Sequence, residues 1–341
     1  MMDELVYFYP EGHALHFERG HPERPERVEA IRTALQEAGA WDPYPLLVSI
    51  ELPEELIRSV HSPAYLKLLE LTCHRAGHLD MDTYTTQASW RLAHRAAGGA
   101  AAVVSAIWEG RSKRGVALCR PPGHHAMHGQ GMGFCLLNNI AIAAEYLIRQ
   151  YHLQRLAIVD LDLHHGNGTQ DIFWARDDVL YISIHQSPFY PGTGHVDDIG
   201  EGAGTGWTAN VPLPPGSGDT AFLTTMDQLI LPLLDQRLPQ MVLVSYGFDP
   251  HWLDPLGQLL LTADGYGKVI QKLCSWADRH CDGKIGLILE GGYELQAAGA
   301  CSQAVVSAML GKPWHDRYPC PYPENNQWQV SLQRALSVWN L

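Results

Sequence analysis

The sequence predicts an α/β fold, a single domain whose mainly parallel sheet carries helices on both faces. Three observations predict it. Strand, polar loop and helix repeat at least five times, the pattern of successive βα units. Several apolar strands end in reactive residues, where open α/β sheets bind ligands. No linker, composition shift or internal repeat divides residues 1–341, a length that one α/β domain can reach.

Taken in order, Leu5 to Tyr9 reads as a strand, and the Pro-rich segment His21 to Arg27 opens an amphipathic helix through about Ala38. Pro53 to Val60 and Ser62 to Leu71 read as helices, and His78 to Gln87 as a polar surface loop. Ala88 to Trp108 is a small-residue helix whose Gly98-Gly99 pair predicts close packing. Gly115 to Cys119 is a strand that runs into Arg120-Pro121-Pro122-Gly123-His124-His125. A helix at Asn138 to Gln150 precedes the central strand at about 155–160. Val179 to Ile184 is a strand ending in His185, and Ser187 to Gly206, with six glycines, is too long for a bare connector. Thr220 to Leu234 is helical, and the strand Gln240 to Ser245 leads to Asp249. Ala263 to Asp278 is helical, the strand Ile285 to Leu289 leads to Glu290-Gly291-Gly292-Tyr293, and a helix follows to Leu310. The Trp/Tyr/Pro-rich tail after Gly311 is expected to wrap the surface.

The net charge of −13, from 24 basic and 37 acidic residues, argues against nucleic acid as a main partner. Seven cysteines without a Cys-x-x-Cys pair form neither a disulfide framework nor a cysteine zinc site. The first residues lack the basic start and apolar core of a signal peptide. No apolar run approaches the roughly 20 residues of a membrane span. A cytoplasmic protein with reduced thiols, not bound to membrane, is the expectation.

The segment from Ile158 to Gly168 carries the chemistry. An apolar strand turns into Asp160, Asp162, His164 and His165, then stops at glycines. Strand side chains alternate, so Asp160, Asp162 and His164 share one face. Burying such groups is costly unless a partner offsets the desolvation, and Asp-x-His offers a divalent metal two ligands from one rigid element. A third ligand is needed; Asp249 is the best candidate, with His251 and Asp254 nearby. Two carboxylates and an imidazole suit zinc, and also Fe(II) or Co(II). Hydrolysis at a metal needs a base and an acid, and His124 and His125 can divide those roles if their partners differ. Asp160 is the natural partner for His124 and Asn167 for His125. Tyr293, after two glycines at a strand end, can donate to a developing oxyanion.

These motifs together, with Gly133-Phe134-Cys135, Ser245 to Asp249, Asp254-Pro255-Leu256-Gly257 and Leu289 to Tyr293, resemble the histone deacetylase superfamily from about His21 to Leu310. The Glu-Gly-Gly-Tyr and Asn167 variants are similar to its class II and bacterial amidohydrolase branch, which is related to acetylpolyamine amidohydrolases. The resemblance implies an arginase-like fold and one zinc on Asp162, His164 and Asp249. It implies His124 and His125 beside the water and Tyr293 polarising the acyl carbonyl. Gly133 and Phe134 would line one wall of an acyl tunnel, with Tyr190 where the family usually has Phe. Leu256 would face the entrance. Potassium is implied at the carbonyls of Asp160, Asp162, His164 and Ile184 with the Ser183 hydroxyl, and again around Phe173 and Val179.

The reading is a zinc-dependent deacetylase acting on acetyl-lysine or a related N-acylated amine. Three others compete. An acetylpolyamine amidohydrolase is weakened by the short segment from Tyr9 to Arg27 and by Leu256, where a polyamine-selective branch has Glu. A two-manganese ureohydrolase wants further carboxylates near Asp249. A non-catalytic acyl-lysine reader is weakened by the intact Tyr293.

Overall fold

The computed structural model describes residues 2–341. Eight strands form one sheet: β1 Asp3–Phe8, β2 Leu46–Leu47, β3 Ser112–Ala117, β4 Leu156–Asp160, β5 Val179–Gln186, β6 Thr208–Leu213, β7 Val242–Tyr246 and β8 Ile285–Leu289. Their order is β2-β1-β3-β8-β7-β4-β5-β6, and every pairing is parallel. The fold is α/β, as the strand–loop–helix rhythm predicts.

Side-chain alternation divides the core into two layers. Ala157 and Val159 of β4, with Val242 and Val244 of β7, face the helices Glu26–Glu37, Ala263–His280 and Leu295–Met309. Leu156 and Ile158, with Leu243 and Ile288, face the helices Ser89–Trp108 and Asn139–Tyr151. The alternation continues past the end of β4. Leu161 and Leu163 stay with the odd-numbered layer, so Asp160, Asp162 and His164 are left together on the other side.

Several elements differ from expectation. The two edge strands, β2 and β6, lie outside the expected elements; one is two residues long and the other, Thr208–Leu213, carries Pro212 within the strand, opposite His185. The glycines after His165, where the strand's end is expected to open into a loop, lead directly into a helix, Asn167–Phe173. The tail folds into a further helix, Trp328–Trp339, which packs Trp328, Leu332 and Leu336 into the core. The helix predicted over 220–234 holds a π turn at Met226–Ile230. The loop at 78–87 is not purely a surface feature. Thr83, Tyr84 and Thr85 are buried, and the Arg120 guanidinium donates to the Tyr84 hydroxyl at 3.1 Å. A polar residue that finds a buried partner gives no sign of it in local composition. No helix among the described residues is long and apolar enough to cross a membrane.

The Gly98-Gly99 pair packs as predicted. A Cβ on Gly98 would overlap the carbonyl oxygen of Ile50, and one on Gly99 would overlap the Phe8 ring. Backbone cannot yield as a side chain can. Gly98→Ala is therefore expected to destabilise the protein by about 1–3 kcal/mol, the usual cost of overpacking, despite the better helix propensity of Ala. A urea midpoint equal to or above that of the unsubstituted protein would show that the contact carries no such constraint.

Candidate active site

The reactive side chains lie on loops that leave four adjacent strands, β3, β8, β7 and β4. β7 and β8 come late in the chain but sit between β3 and β4, so residues 120–125, 160–167, 249–256 and 290–293 meet above the middle of the sheet.

Asp162, His164 and Asp249 each offer a ligand atom, all within 4.8 Å of one another. His164 Nδ1 lies 3.2 Å from Asp162 Oδ1 and 3.1 Å from Asp249 Oδ2. Backbone groups hold the other oxygens. The Gly291 N–H donates to Asp162 Oδ2 at 2.8 Å and the Leu163 N–H to Asp249 Oδ1 at 3.1 Å. The competing donors stand elsewhere. Asp254 accepts from the N–H groups of Tyr293 at 2.6 Å, Glu294 at 3.0 Å and Leu256 at 3.0 Å. His251 Nδ1 accepts from the Leu253 N–H at 3.2 Å.

The three side chains shift one another's protonation. Burial, and then the carboxylate of Asp162, push the Asp249 carboxyl up to about 7. Burial alone would depress the His164 imidazole, but its hydrogen bonds to Asp162 and Asp249 raise it to about 9. Two carboxylates with one imidazole, converging within a few ångströms, are a suitable donor set for a divalent ion.

Both histidines beside this cluster are buried, and their rings lie 4.1 Å apart. They differ in partner. His124 Nδ1 donates to Asp160 Oδ2 at 3.1 Å, and its Nε2 is 3.7 Å from Asp162 Oδ1. His125 Nδ1 donates to the neutral Asn167 Oδ1 at 2.7 Å. Burial disfavours charge on His124, yet Asp162 and Asp160 outweigh it and raise the imidazole to about 10. His125 is held well below the usual imidazole range by burial and by the positive charge of His124 and His164.

Aromatic rings close around these groups. Tyr190 meets His125 edge-on at 5.3 Å and His164 at 6.1 Å. Phe134 meets Tyr293 edge-on at 5.8 Å and His21 at 4.6 Å. Gly133, at φ +55°, carries no side chain because a Cβ would come within 2.5 Å of His125 Cδ2. Leu256 is half-buried, and its N–H is held by Asp254. Phe189, tilted against His164 at 5.5 Å, is a neighbour that was not anticipated.

Three more groups escaped the sequence reading. Arg27 donates to the carbonyl oxygens of Gly292 at 2.6 Å and Glu290 at 2.5 Å, and its guanidinium lies 4.8 Å over the Tyr293 ring. Glu23 binds both Arg27 and Arg120. Glu290 follows β8 directly as a buried acid, much as Asp160 closes β4, and that parallel is visible in the sequence. Arg27 gave no signal, since one arginine on an amphipathic helix reads as a solvated charge.

The chain matches the Histone deacetylase domain over residues 21–309. It belongs to the histone deacetylase family. A probable deacetylase of Archaeoglobus fulgidus is 40% identical over 294 residues, covering 85% of this chain and 82% of its own length. The histone deacetylase-like amidohydrolase of Pseudomonas aeruginosa is 36% identical over 294 residues, covering 86% and 77%. Histone deacetylase 15 of Arabidopsis thaliana is 38% identical over 327 residues, 94% of this chain but 58% of that protein. The crystal structure of the HDA15 HD domain superposes with a TM-score of 0.91 at 35% identity, over 98% of this chain and 94% of that one. As a histone deacetylase family member this chain is a deacetylase-type hydrolase, and its buried Asp/His/Asp group stands at the centre of the matched region.

One divalent ion per chain is expected in equilibrium dialysis. At 100 times its Kd the ion should stabilise the fold by about 3 kcal/mol, read as a higher unfolding midpoint than with chelator. Asp162→Ala and Asp249→Ala should lose both the ion and the shift. Full occupancy in Asp249→Ala would remove that residue from the site.

Proposed function

We propose that this protein is a zinc-dependent deacetylase, cytoplasmic, that hydrolyses the amide of acetyl-lysine or a related short-acyl amine. The observation that carries the reading is the unequal histidine pair beside the Asp/His/Asp donor group, one ring on a carboxylate and the other on a neutral amide. Zinc held by Asp162, His164 and Asp249 supplies Lewis-acid polarisation of the amide and a lowered pKa for water.

The chain's own residues divide the remaining work. The Asn167 amide oxygen fixes the Nδ1–H of His125, which leaves Nε2 with a lone pair to accept a proton from water. The Asp160 carboxylate stabilises the imidazolium of His124, so His124 holds the proton that the departing amine needs. Burial keeps the Tyr293 phenol protonated, and a neutral phenol donates to the oxygen on which negative charge develops. Phe134 and Tyr190, flanking His125 and Tyr293, hold a methylene stem and exclude water. Potassium is proposed at the carbonyls of Asp160, Asp162, His164 and Ile184 with Ser183, whose hydroxyl also meets His185 Nδ1 at 2.9 Å, and around Phe173 and Val179.

One three-donor group, Asp162, His164 and Asp249, supports a single metal over a two-manganese ureohydrolase site. A non-catalytic reader would have no use for two buried imidazoles with different partners. An acetylpolyamine substrate is favoured by the charge of −13, but that field is screened within roughly 8–10 Å. The local residue, Leu256, is apolar and suits a lysine stem.

Tyr293→Phe is expected to keep metal and fold and to lower kcat for an acetyl-lysine peptide by on the order of 100-fold or more. A loss of only a few fold would make Tyr293 structural and undercut the mechanism.

Acetyl-lysine peptides are expected to be turned over better than acetylspermidine. Leu256→Glu should move the ratio of kcat/KM about tenfold toward acetylpolyamines, the equivalent of ~1.4 kcal/mol. Preference of the unsubstituted protein for acetylspermidine over every peptide would refute this, and would point to another rim acid such as Asp82.

A further inference from the structure

Glu290 is completely buried. Its Oε2 accepts from two consecutive backbone N–H groups, those of Gly123 at 2.7 Å and His124 at 3.0 Å. Its Oε1 accepts from the Ser245 hydroxyl at 2.9 Å, on the adjacent strand β7. Arg27 reaches the backbone carbonyl of Glu290, and among the described residues no hydrogen bond or ion pair joins a cation to its carboxylate. A carboxylate buried this way is costly, and burial pushes its pKa up to about 7.

On the other side of the same residue, the carbonyl oxygen of His124 accepts from the N–H groups of Gly168 at 3.0 Å and Thr169 at 3.1 Å. The Asn139 side-chain amide holds the Pro121 carbonyl at 2.9 Å. The His124 backbone is thus gripped from both directions, and Glu290 supplies the grip on its N–H side. The imidazole it carries must reach Asp160 Oδ2 with one nitrogen while the other faces Asp162. A ring held at two ends has little tolerance for movement of its own Cα.

We infer that Glu290 is a positioning residue for the deacetylation reaction, acting through the N–H groups of Gly123 and His124 to set the place of the His124 imidazole. The inference rests on the proton-transfer role proposed for His124. What the loop needs from Glu290 is an acceptor oxygen at a fixed height, not a negative charge. Both N–H groups converge on one oxygen, so the amide oxygen of a glutamine can replace it, while the amide nitrogen turns to the Ser245 hydroxyl.

The test compares Glu290→Gln, Glu290→Asp and Glu290→Ala in the full, zinc-loaded chain, with an acetyl-lysine peptide as substrate and metal content measured for each. Glu290→Gln should stay within about threefold of the parent in kcat. Glu290→Ala should fall by ~100-fold in kcat, the scale of a 1 Å misplacement, with KM within about threefold and one zinc per chain retained. Glu290→Asp keeps the charge but is shorter, and should fall at least tenfold. A second readout needs no turnover. The low-field Nδ1–H proton resonance of the His124–Asp160 hydrogen bond should persist in Glu290→Gln and be lost or shifted in Glu290→Asp and Glu290→Ala. Parent-like kcat in Glu290→Ala, or in Glu290→Asp if the alanine variant does not fold, overturns the inference. So does a glutamine variant as slow as the alanine one, because charge rather than position would then be at work. If the parent turns over no acyl amide, the functional proposal fails, and the proton resonance alone decides whether Glu290 positions the ring.

Discussion

The site depends on buried carboxylates that are satisfied by backbone N–H groups of neighbouring loops. Asp249, after β7, takes the N–H of Leu163, after β4. Asp162, after β4, takes the N–H of Gly291, after β8. Asp254 takes those of Tyr293 and Glu294, and Glu290 those of Gly123 and His124. Four loops that share no sequence proximity are tied by acids to one another's main chains. Each bond offsets part of the desolvation of a carboxylate and fixes the backbone beside a reactive side chain. The same interaction that makes the charges tolerable makes the geometry definite.

Outside this ring of acids lies a balancing group of opposite sign. Glu23 is buried between Arg120 and Arg27, and although burial opposes its charge, the two guanidinium groups outweigh it and hold the carboxyl at about 2. Arg120 also donates to the carbonyl oxygens of His13 and His16, each at 2.6 Å. Arg27 reaches the other way, to the turn that presents Tyr293. Removing either partner of such a buried pair leaves an uncompensated charge, which typically costs about 3–5 kcal/mol. The first helix, remote from the reaction in sequence, is therefore bound to the placement of the phenol.

Much of this was legible because strand periodicity is strict. Asp160, Asp162 and His164 fall on one side of β4 for the reason that Leu161 and Leu163 fall on the other, and a count by twos finds both. Asp249 could be singled out as following a buried strand, but its separation from Asp254 and His251 could not, since a turn of irregular backbone decides which carboxylate faces inward. The partners of His124 and His125 were inferable from charge type within one motif. Glu23 and Arg120 were not, because their pairing spans 97 positions and neither residue sits in a pattern that marks it as buried. The edge strand β2 is too short to show a period, and β6 contains Pro212, a residue that argues against a strand although an edge position tolerates it. The Trp328–Trp339 helix was masked by the Pro-rich composition that precedes it.

The order of the strands has a consequence for synthesis. β3 and β4 are made before residue 161, yet they are not neighbours; β8 and β7 fill the two places between them. Until residues 242–289 have left the ribosome, both strands present unpaired edges to a gap two strands wide, the kind of edge that invites pairing with another chain. The donors Asp162 and His164 wait there as well, without Asp249. Closing the sheet and completing the donor set are thus one event, and until it happens the same open edges that await β7 and β8 are exposed to other chains.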